Sequence, residues 1–461
     1  MDQPTGKPKG RGMAVRRDLV SGSILRNLLT LSWPMIVGNS VNMLGPTVDM
    51  IWVGRLGDAD IAAVGVAGTA VMLAQAALMG LFTGMRALIS RFIGANDEKQ
   101  ALHIAQQAIV IGAVSSAILA VIGIFLSRWI LTLIGVGEDV IGIGTAYMQI
   151  QFVGMTAMSF RSMAEGVMQA SGDAATPMKI AVGFRVVHIV VAPFLIFGWW
   201  IFPRMGLTGA ALTNVISQSL GTVLAFWFLM SGRSRLRLSF KNFHIDPPAI
   251  WRIVKIGLPA SFMGMEQNMR GFIFIRFIAP FGTLAIAAHT LVSRIEMILF
   301  MPAFGLGMAA GVLTGQNLGA GKPDRASKSG WIAAGILQGF IIIVCVALLF
   351  WARYVVRIFT PDPELISLST TFIRIALVGY LIMGMASIFQ QCIVAAGDTL
   401  LPMIVSLLTG WLVQLPLAWF LPKLWGLEVY GVRWALVVPT IIGAVAYTIY
   451  FRMGRWKRKE V

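Results

Sequence analysis

The sequence predicts an all-α integral membrane protein, with twelve transmembrane helices in two parallel-repeat six-helix bundles and a central cleft. Three observations predict it. Of 461 residues, 57% are hydrophobic and 12% charged, with a mean hydropathy of +0.79, whereas soluble domains carry about 25% charged residues. Apolar runs long enough to cross a bilayer, roughly 20 residues, recur along the whole chain. The two halves also align without a gap at an offset of 225 residues: Gly172–Asp173 match Gly397–Asp398, Pro34 matches Pro259, Pro177 matches Pro402, Gly94 matches Gly319 and Gly206 matches Gly431. Six spans per repeat is an even number, so the repeats run in the same sense about an axis along the membrane normal.

The first run, 28–53, holds one charged residue, Asp49. A charge at membrane depth is costly and marks a functional position by default. Pro34 and Pro46 lie in the same run. Each removes a backbone hydrogen bond, which makes both candidate hinges. Runs 61–92 and 102–126 follow. The fourth, 140–169, contains Tyr147, Arg161 and Glu165, the last two spaced i, i+4 and so on one helix face. The fifth, 180–202, contains Arg185 and His188, and the sixth is 207–231. In the second half, 251–279 contains Glu266, Gln267 and Arg270, while 284–308 contains Arg294 and Glu296, expected to pair or snorkel. Runs 329–352, 365–395, 403–421 and 431–451 complete the set. The expected units are a basic segment 1–27, a lobe 28–230, a linker 231–250, a second lobe 251–451 and a basic tail 452–461. Trp199, Trp200, Trp351 and Trp411 read as interfacial anchors. Glycine-rich FGLGMAAG, 304–311, reads as a close helix-packing surface.

The formal charge is +17, and its distribution argues against nucleic acid. Residues 1–26 carry net +4, the loop 231–250 carries net +3 and the tail 452–461 carries net +4. By the positive-inside rule the start, middle and end of the chain are cytoplasmic. The N-terminal segment lacks a cleavable signal pattern, so the first span reads as uncleaved. Cys345 and Cys392 fall inside helices and imply no disulfide framework. The four histidines show no metal-ligand spacing, so no metal site is expected. GQNLGAGKP, 315–323, is not a phosphate loop, because Gln316 and Pro323 stand where that motif needs Gly and Ser or Thr. No cofactor and no catalytic constellation is expected, and the chain does not read as an enzyme. With no nucleotide site, energy would come from an ion gradient.

Pro34, VDMIWVGRLG at 48–57 and DIAAVG at 60–65 resemble the first-helix region of the multidrug and toxic compound extrusion (MATE) family. GLP at 257–259, PFGTLAIAAH at 280–289, PAFGLGMAAGVLTGQNLGAGKPDRA at 302–326, MQASGD at 168–173 and VAAGD at 394–398 extend the likeness over nearly the whole chain. The resemblance implies a MATE-like fold and a monomeric, multi-pass antiporter of the bacterial or archaeal cytoplasmic membrane. Such an antiporter exports small organic, often cationic, compounds against a transmembrane proton or sodium gradient. It also implies that Asp49 carries the coupling proton or cation.

The likeness has departures. The archaeal and DinF-like branch carries Asn and, four residues on, Asp in helix 5, where this chain has His188 and Ala192. Tyr147 stands at the family tyrosine position and Glu165 at a position that is often an amide. In the NorM-like pattern helix 7 supplies a glutamate. Here Glu266 falls one residue short and Gln267 takes its place. Helix 10 from Arg374 to Gln391 has no acid. The pattern thus reads as closer to the DinF-like branch than to NorM, with coupling through Asp49, Glu165, His188 and Tyr147, and with protons favoured over sodium. Glu266, Gln267, Arg270 and Arg161 are the candidates for substrate contact in the cleft. The intramembrane arginines keep an alternative open, a flippase for a lipid-linked or polysaccharide precursor.

Overall fold

The computed structural model describes residues 18–459 apart from Asn242, Trp425 and the side chains of Leu44, Asp58 and Ala59. The basic residues before Asp18 lie outside the described residues, as does Glu460.

The first half consists of α1 (Ile24–Val53), α2 (Asp58–Gly94), α3 (Glu98–Ile134), α4 (Glu138–Ala170), α5 (Ala175–Phe197) and α6 (Gly206–Met230). The second consists of α7 (Pro247–Ile278), α8 (Thr283–Gly319), α9 (Pro323–Arg357), α10 (Pro363–Ala395) and α13 (Glu428–Met453). Between α10 and α13 runs one rod made of α11 (Leu400–Leu407), a π-helical segment (Leu408–Gln414) and α12 (Leu415–Phe420). No strand occurs among the described residues. The predicted helical bundle is therefore the observed one. Nine of the rods are long and apolar enough, among the described residues, to cross a membrane. Those outside that set, α1, α4 and α7, carry Asp49, the Arg161–Glu165 pair and the Glu266–Arg270 pair.

Side-chain caps fix several starts. Ser23 accepts from the Arg26 N–H, Asp97 from Gln100 and Asp362 from Glu364, satisfying donors that a helix N-terminus leaves free. Proline opens α7, α9 and α10, where its missing N–H costs nothing. At 37 residues, α2 and α3 are each about 55 Å long at 1.5 Å per residue, well beyond a hydrocarbon core of about 30 Å. They extend past the bilayer, as the long apolar runs imply.

The two halves repeat one packing scheme. α1 packs on α8 and α2 packs on α7, and the 225-residue offset relates these pairs. The helices cross between cores: Leu28, Leu31 and Met35 of α1 belong to the second half's core, and Ala249, Ile253 and Ile256 of α7 to the first's. Glycines permit the approach. A Cβ on Gly80 would meet the Ser261 backbone, and one on the equivalent Gly305 would meet the backbone of Ile36, the equivalent of Ser261.

The end of the bundle that bears the basic loops is sealed in the same symmetric way. Gly94 lies against the Gln316 carbonyl, and Gly319, its equivalent, lies against the Arg91 carbonyl. Arg91 donates to the Ala396 carbonyl at 3.0 Å, and Gln316 donates to the Ala170 carbonyl at 2.8 Å. Arg91 and Gln316 are again 225 residues apart. The GQNLGAGKP stretch thus ends α8 and closes this seal. Arg325 adds bonds to the carbonyls of Ser21 and Gly22, both 2.8 Å.

Candidate functional site

Two cavities with polar side chains in their walls lie within the bundle, one lined mostly by the first half and one by the second. The first, about 450 Å3, is lined from α1, α2, α4, α5 and α6, with Asn268 of α7 and Met308 of α8 completing its wall, and Asp49, Arg86, Arg161, Glu165 and Arg185 all face it. The second, about 400 Å3, is lined by Gln267, Arg270, Ser406, Gln414 and Tyr447 among others. Both are of a size that suits a small organic molecule.

In the first cavity, α1 and α5 meet as a two-rung ladder. At the lower rung, His188 Nε2 lies 2.8 Å from Asp49 Oδ1. The imidazole is fully buried and the carboxylate side chain is 18% exposed. At the upper rung, one turn away on both helices, the Arg185 guanidinium occupies the space a Cβ on Gly45 would fill. Its NH2 donates to the Asn42 carbonyl at 3.0 Å. That carbonyl is free because its helical partner, four residues on, would be the N–H of Pro46, which proline lacks. Gly45 gives room and Pro46 gives an acceptor, so the two make a cradle for a buried arginine. α1 remains helical through both Pro34 and Pro46.

A second network joins α4 to α6. Arg161 donates through NH1 to Glu165 at 2.5 Å and through Nε to Gln218 Oε1 at 2.6 Å. Tyr147 accepts at its hydroxyl from Gln151 at 3.1 Å, and Gln151 accepts from Asn214 at 3.0 Å. Phe184 links the two networks, with Arg161 4.5 Å and Arg185 5.2 Å from its ring centroid, within range of cation–π attraction.

The second half differs. Glu266, 3% exposed at its side chain, lies 3.4 Å from Arg270 Nε and accepts from Ser406 at 2.9 Å. Arg270 packs against Gly410 in the π-helical segment. Gln267, at the family glutamate position, lines the second cavity together with Arg270, whereas Glu266 lies behind them. Glu296 is held by Arg433 and Tyr380.

The four residues expected to act together in coupling are therefore divided. Asp49 and His188 touch, Glu165 is engaged by Arg161, and Tyr147 belongs to the Gln151–Asn214 chain. The expected cleft candidates are also split, with Arg161 in the first cavity and Arg270 and Gln267 in the second. Trp411 does not anchor a helix end, because it sits within the π-helical segment with a buried N–H. Sequence reasoning missed Asn42, Gly45, Arg86, Gln151, Asn214, Gln218 and Arg433. Amides inside apolar runs, and a glycine directly before an intrahelical proline, were the available signals. The scattered histidines do converge in part: His103, His244 and Asp246 bring ligand atoms within 4.8 Å of one another at the basic end, and His103 Nε2 lies 2.8 Å from Asp246.

Comparison with known proteins identifies the family of the chain. The family model MatE matches residues 34–194 and 259–420, once in each half. The probable multidrug resistance protein YoeA of Bacillus subtilis is 26% identical over 445 residues, 95% of this chain and 96% of its own. The probable multidrug resistance protein YpnP of the same organism is 24% identical over 449 residues, 96% and 98%. Among solved structures, a MOP superfamily transporter from Pyrococcus furiosus, described by the reverse polarity of its binding pocket, superposes with a TM-score of 0.89 at 21% identity, covering 96% of this chain and 98% of its own.

Proposed function

Because this chain belongs to the MatE family, whose model matches both halves, we propose that it is a secondary active multidrug exporter. It exchanges small organic compounds, amphipathic cations among them, for protons by alternating access between its two bundles. The observation that carries this reading is the Asp49–His188 contact of 2.8 Å inside the first cavity. A carboxylate and an imidazole in contact can share, take up and release a proton, and Asp49 keeps an 18% exposed face toward the cavity. A cationic compound at that face competes with the proton for the same negative charge, which is the requirement for exchange. Protons are favoured over sodium because the partner of Asp49 is a ring nitrogen, whereas a hard cation selects several oxygen ligands.

The proposal extends to orientation. The basic end faces the cytoplasm by the positive-inside rule, and the seal at that end makes this the outward-open arrangement. The protein acts as a monomer in the cytoplasmic membrane. Placement with the DinF-like branch is supported by the location of the ionisable residues in the first half and by the lack of an acid in α10 from Arg374 to Gln391. Export, rather than precursor flipping, is the reading the multidrug relatives support.

Purified protein in liposomes tests this. An imposed proton gradient should drive counter-movement of a cationic dye, and a sodium gradient at equal pH should not. Dye movement with sodium alone would overturn the proton assignment.

A further inference from the structure

The first cavity does not balance its charges. Asp49 is met by His188 and Glu165 by Arg161. Arg185 and Arg86 have no carboxylate in ion-pair range among the described residues. Arg185 is 5% exposed, its Nε is buried with no hydrogen-bond partner, and only its NH2 is spent on the Asn42 carbonyl. Arg86 donates to its own helix neighbour Thr83 at 3.2 Å. Both guanidiniums line the same cavity as Asp49. An unpaired charge held in low dielectric is costly unless a ligand compensates it.

The spacing is fixed by the ladder. Gly45, where the Arg185 guanidinium lies, and Asp49 are four residues apart on α1, just over one helical turn or about 6 Å at 1.5 Å per residue. A cation-attracting carboxylate and an anion-attracting guanidinium thus stand one turn apart on one wall. We propose that this cavity is built for zwitterionic organic compounds, with the positive group at Asp49 and a carboxylate or phosphate at Arg185 and Arg86. The proposal rests on the export reading above and names the substrate class of its site. The positive group still competes with the proton at Asp49. The negative group adds affinity, so a zwitterion binds more tightly than a simple cation, which the cavity still accepts.

A matched pair of xanthene dyes tests it, a cationic methyl ester and its free acid, which is zwitterionic at neutral pH. Binding is read by fluorescence polarisation on detergent-solubilised protein, and movement by proton-driven transport in liposomes. The free acid should bind at least about ten-fold more tightly, the scale of one charge-assisted hydrogen bond. Arg185→Gln should remove that preference. Arg185 also caps the Asn42 carbonyl, so Arg86→Gln, which leaves that contact alone, is the second variant and should lower the preference in the same sense. Melting temperatures in detergent identify any variant that is misfolded. A zwitterionic headgroup in the bilayer could present the same chemistry, so a fluorescent phosphatidylcholine is run in parallel. Binding of that lipid with no binding of the water-soluble free acid would overturn a soluble substrate. Equal binding of ester and acid, unchanged by either variant, would overturn the proposal while proton-driven transport leaves export standing. No binding and no movement of any probe would overturn both.

Discussion

Gly45 of α1 and Arg270 of α7 are the same position in the two halves, 225 residues apart, and they hold opposite members of one contact. In the first half Gly45 receives Arg185 of α5. In the second, Arg270 is received by Gly410, the equivalent of Arg185. The repeat has kept an arginine-in-glycine joint between these helices and exchanged which helix carries the charge. The consequence is functional asymmetry. Arg185 points from α5 beside Asp49 and keeps no acid of its own, whereas Arg270 points from α7 and is neutralised by Glu266.

The joint predicts that Gly45→Ala is damaging although alanine favours helix. The added methyl would overlap the Arg185 guanidinium, and overpacking of this kind costs about 1–3 kcal/mol. A lowered melting temperature in detergent, together with weakened dye binding, is the expected result.

Pro46→Ala should do the reverse to stability and the same to function. Alanine restores the N–H that bonds the Asn42 carbonyl, so α1 loses no stability, but Arg185 must share its acceptor. An unchanged or raised melting temperature with reduced transport is expected. Unchanged transport would show that the freed carbonyl does not position the arginine.

Glu266→Gln keeps an acceptor for Ser406 but leaves Arg270 without its charge partner in a buried site. The expected cost is of order 1–3 kcal/mol. The number of protons moved per dye should stay at the wild-type value, because coupling is assigned to the first half. A changed proton-to-dye ratio would contradict that assignment.

Asp246, at the N-terminus of α7 outside the membrane, is held below the usual aspartate range, chiefly by the hydrogen bond from His103 and then by the Ala249 N–H. Its contribution to stability is therefore full above the unfolded value near 3.8 and is lost as pH falls through the lower folded value. Asp246→Asn should flatten the acid limb of a melting temperature against pH curve below about pH 4.

Much of the fold was legible because membrane burial leaves a one-dimensional signal: apolar runs, basic ends and a constant repeat offset each survive without knowledge of contacts. Asp49 was legible for the same reason, as the lone charge in its run. Its partner was not assigned by spacing, since His188 lies 139 residues away and only the packing of α1 on α5 selects it over Arg161 or Arg185. Pro46 read as a candidate hinge, and Gly45 was passed over. Their role in seating Arg185 appears only when the freed carbonyl and the empty Cβ volume are seen to face the same guanidinium. The His103–His244–Asp246 group was invisible because its members come from α3 and the linker, joined by tertiary structure alone.

The central claim is that Asp49 is the group the proton gradient acts through. The most direct measurement is proton flux, read with a pH dye inside liposomes, on adding substrate to wild type and to Asp49→Asn, with substrate binding measured on the same preparations. Substrate should move protons through the wild type. Asp49→Asn should move none in response to substrate while remaining folded and able to bind it, with affinity that no longer depends on pH. Substrate-driven proton flux at the wild-type level in Asp49→Asn would contradict the account.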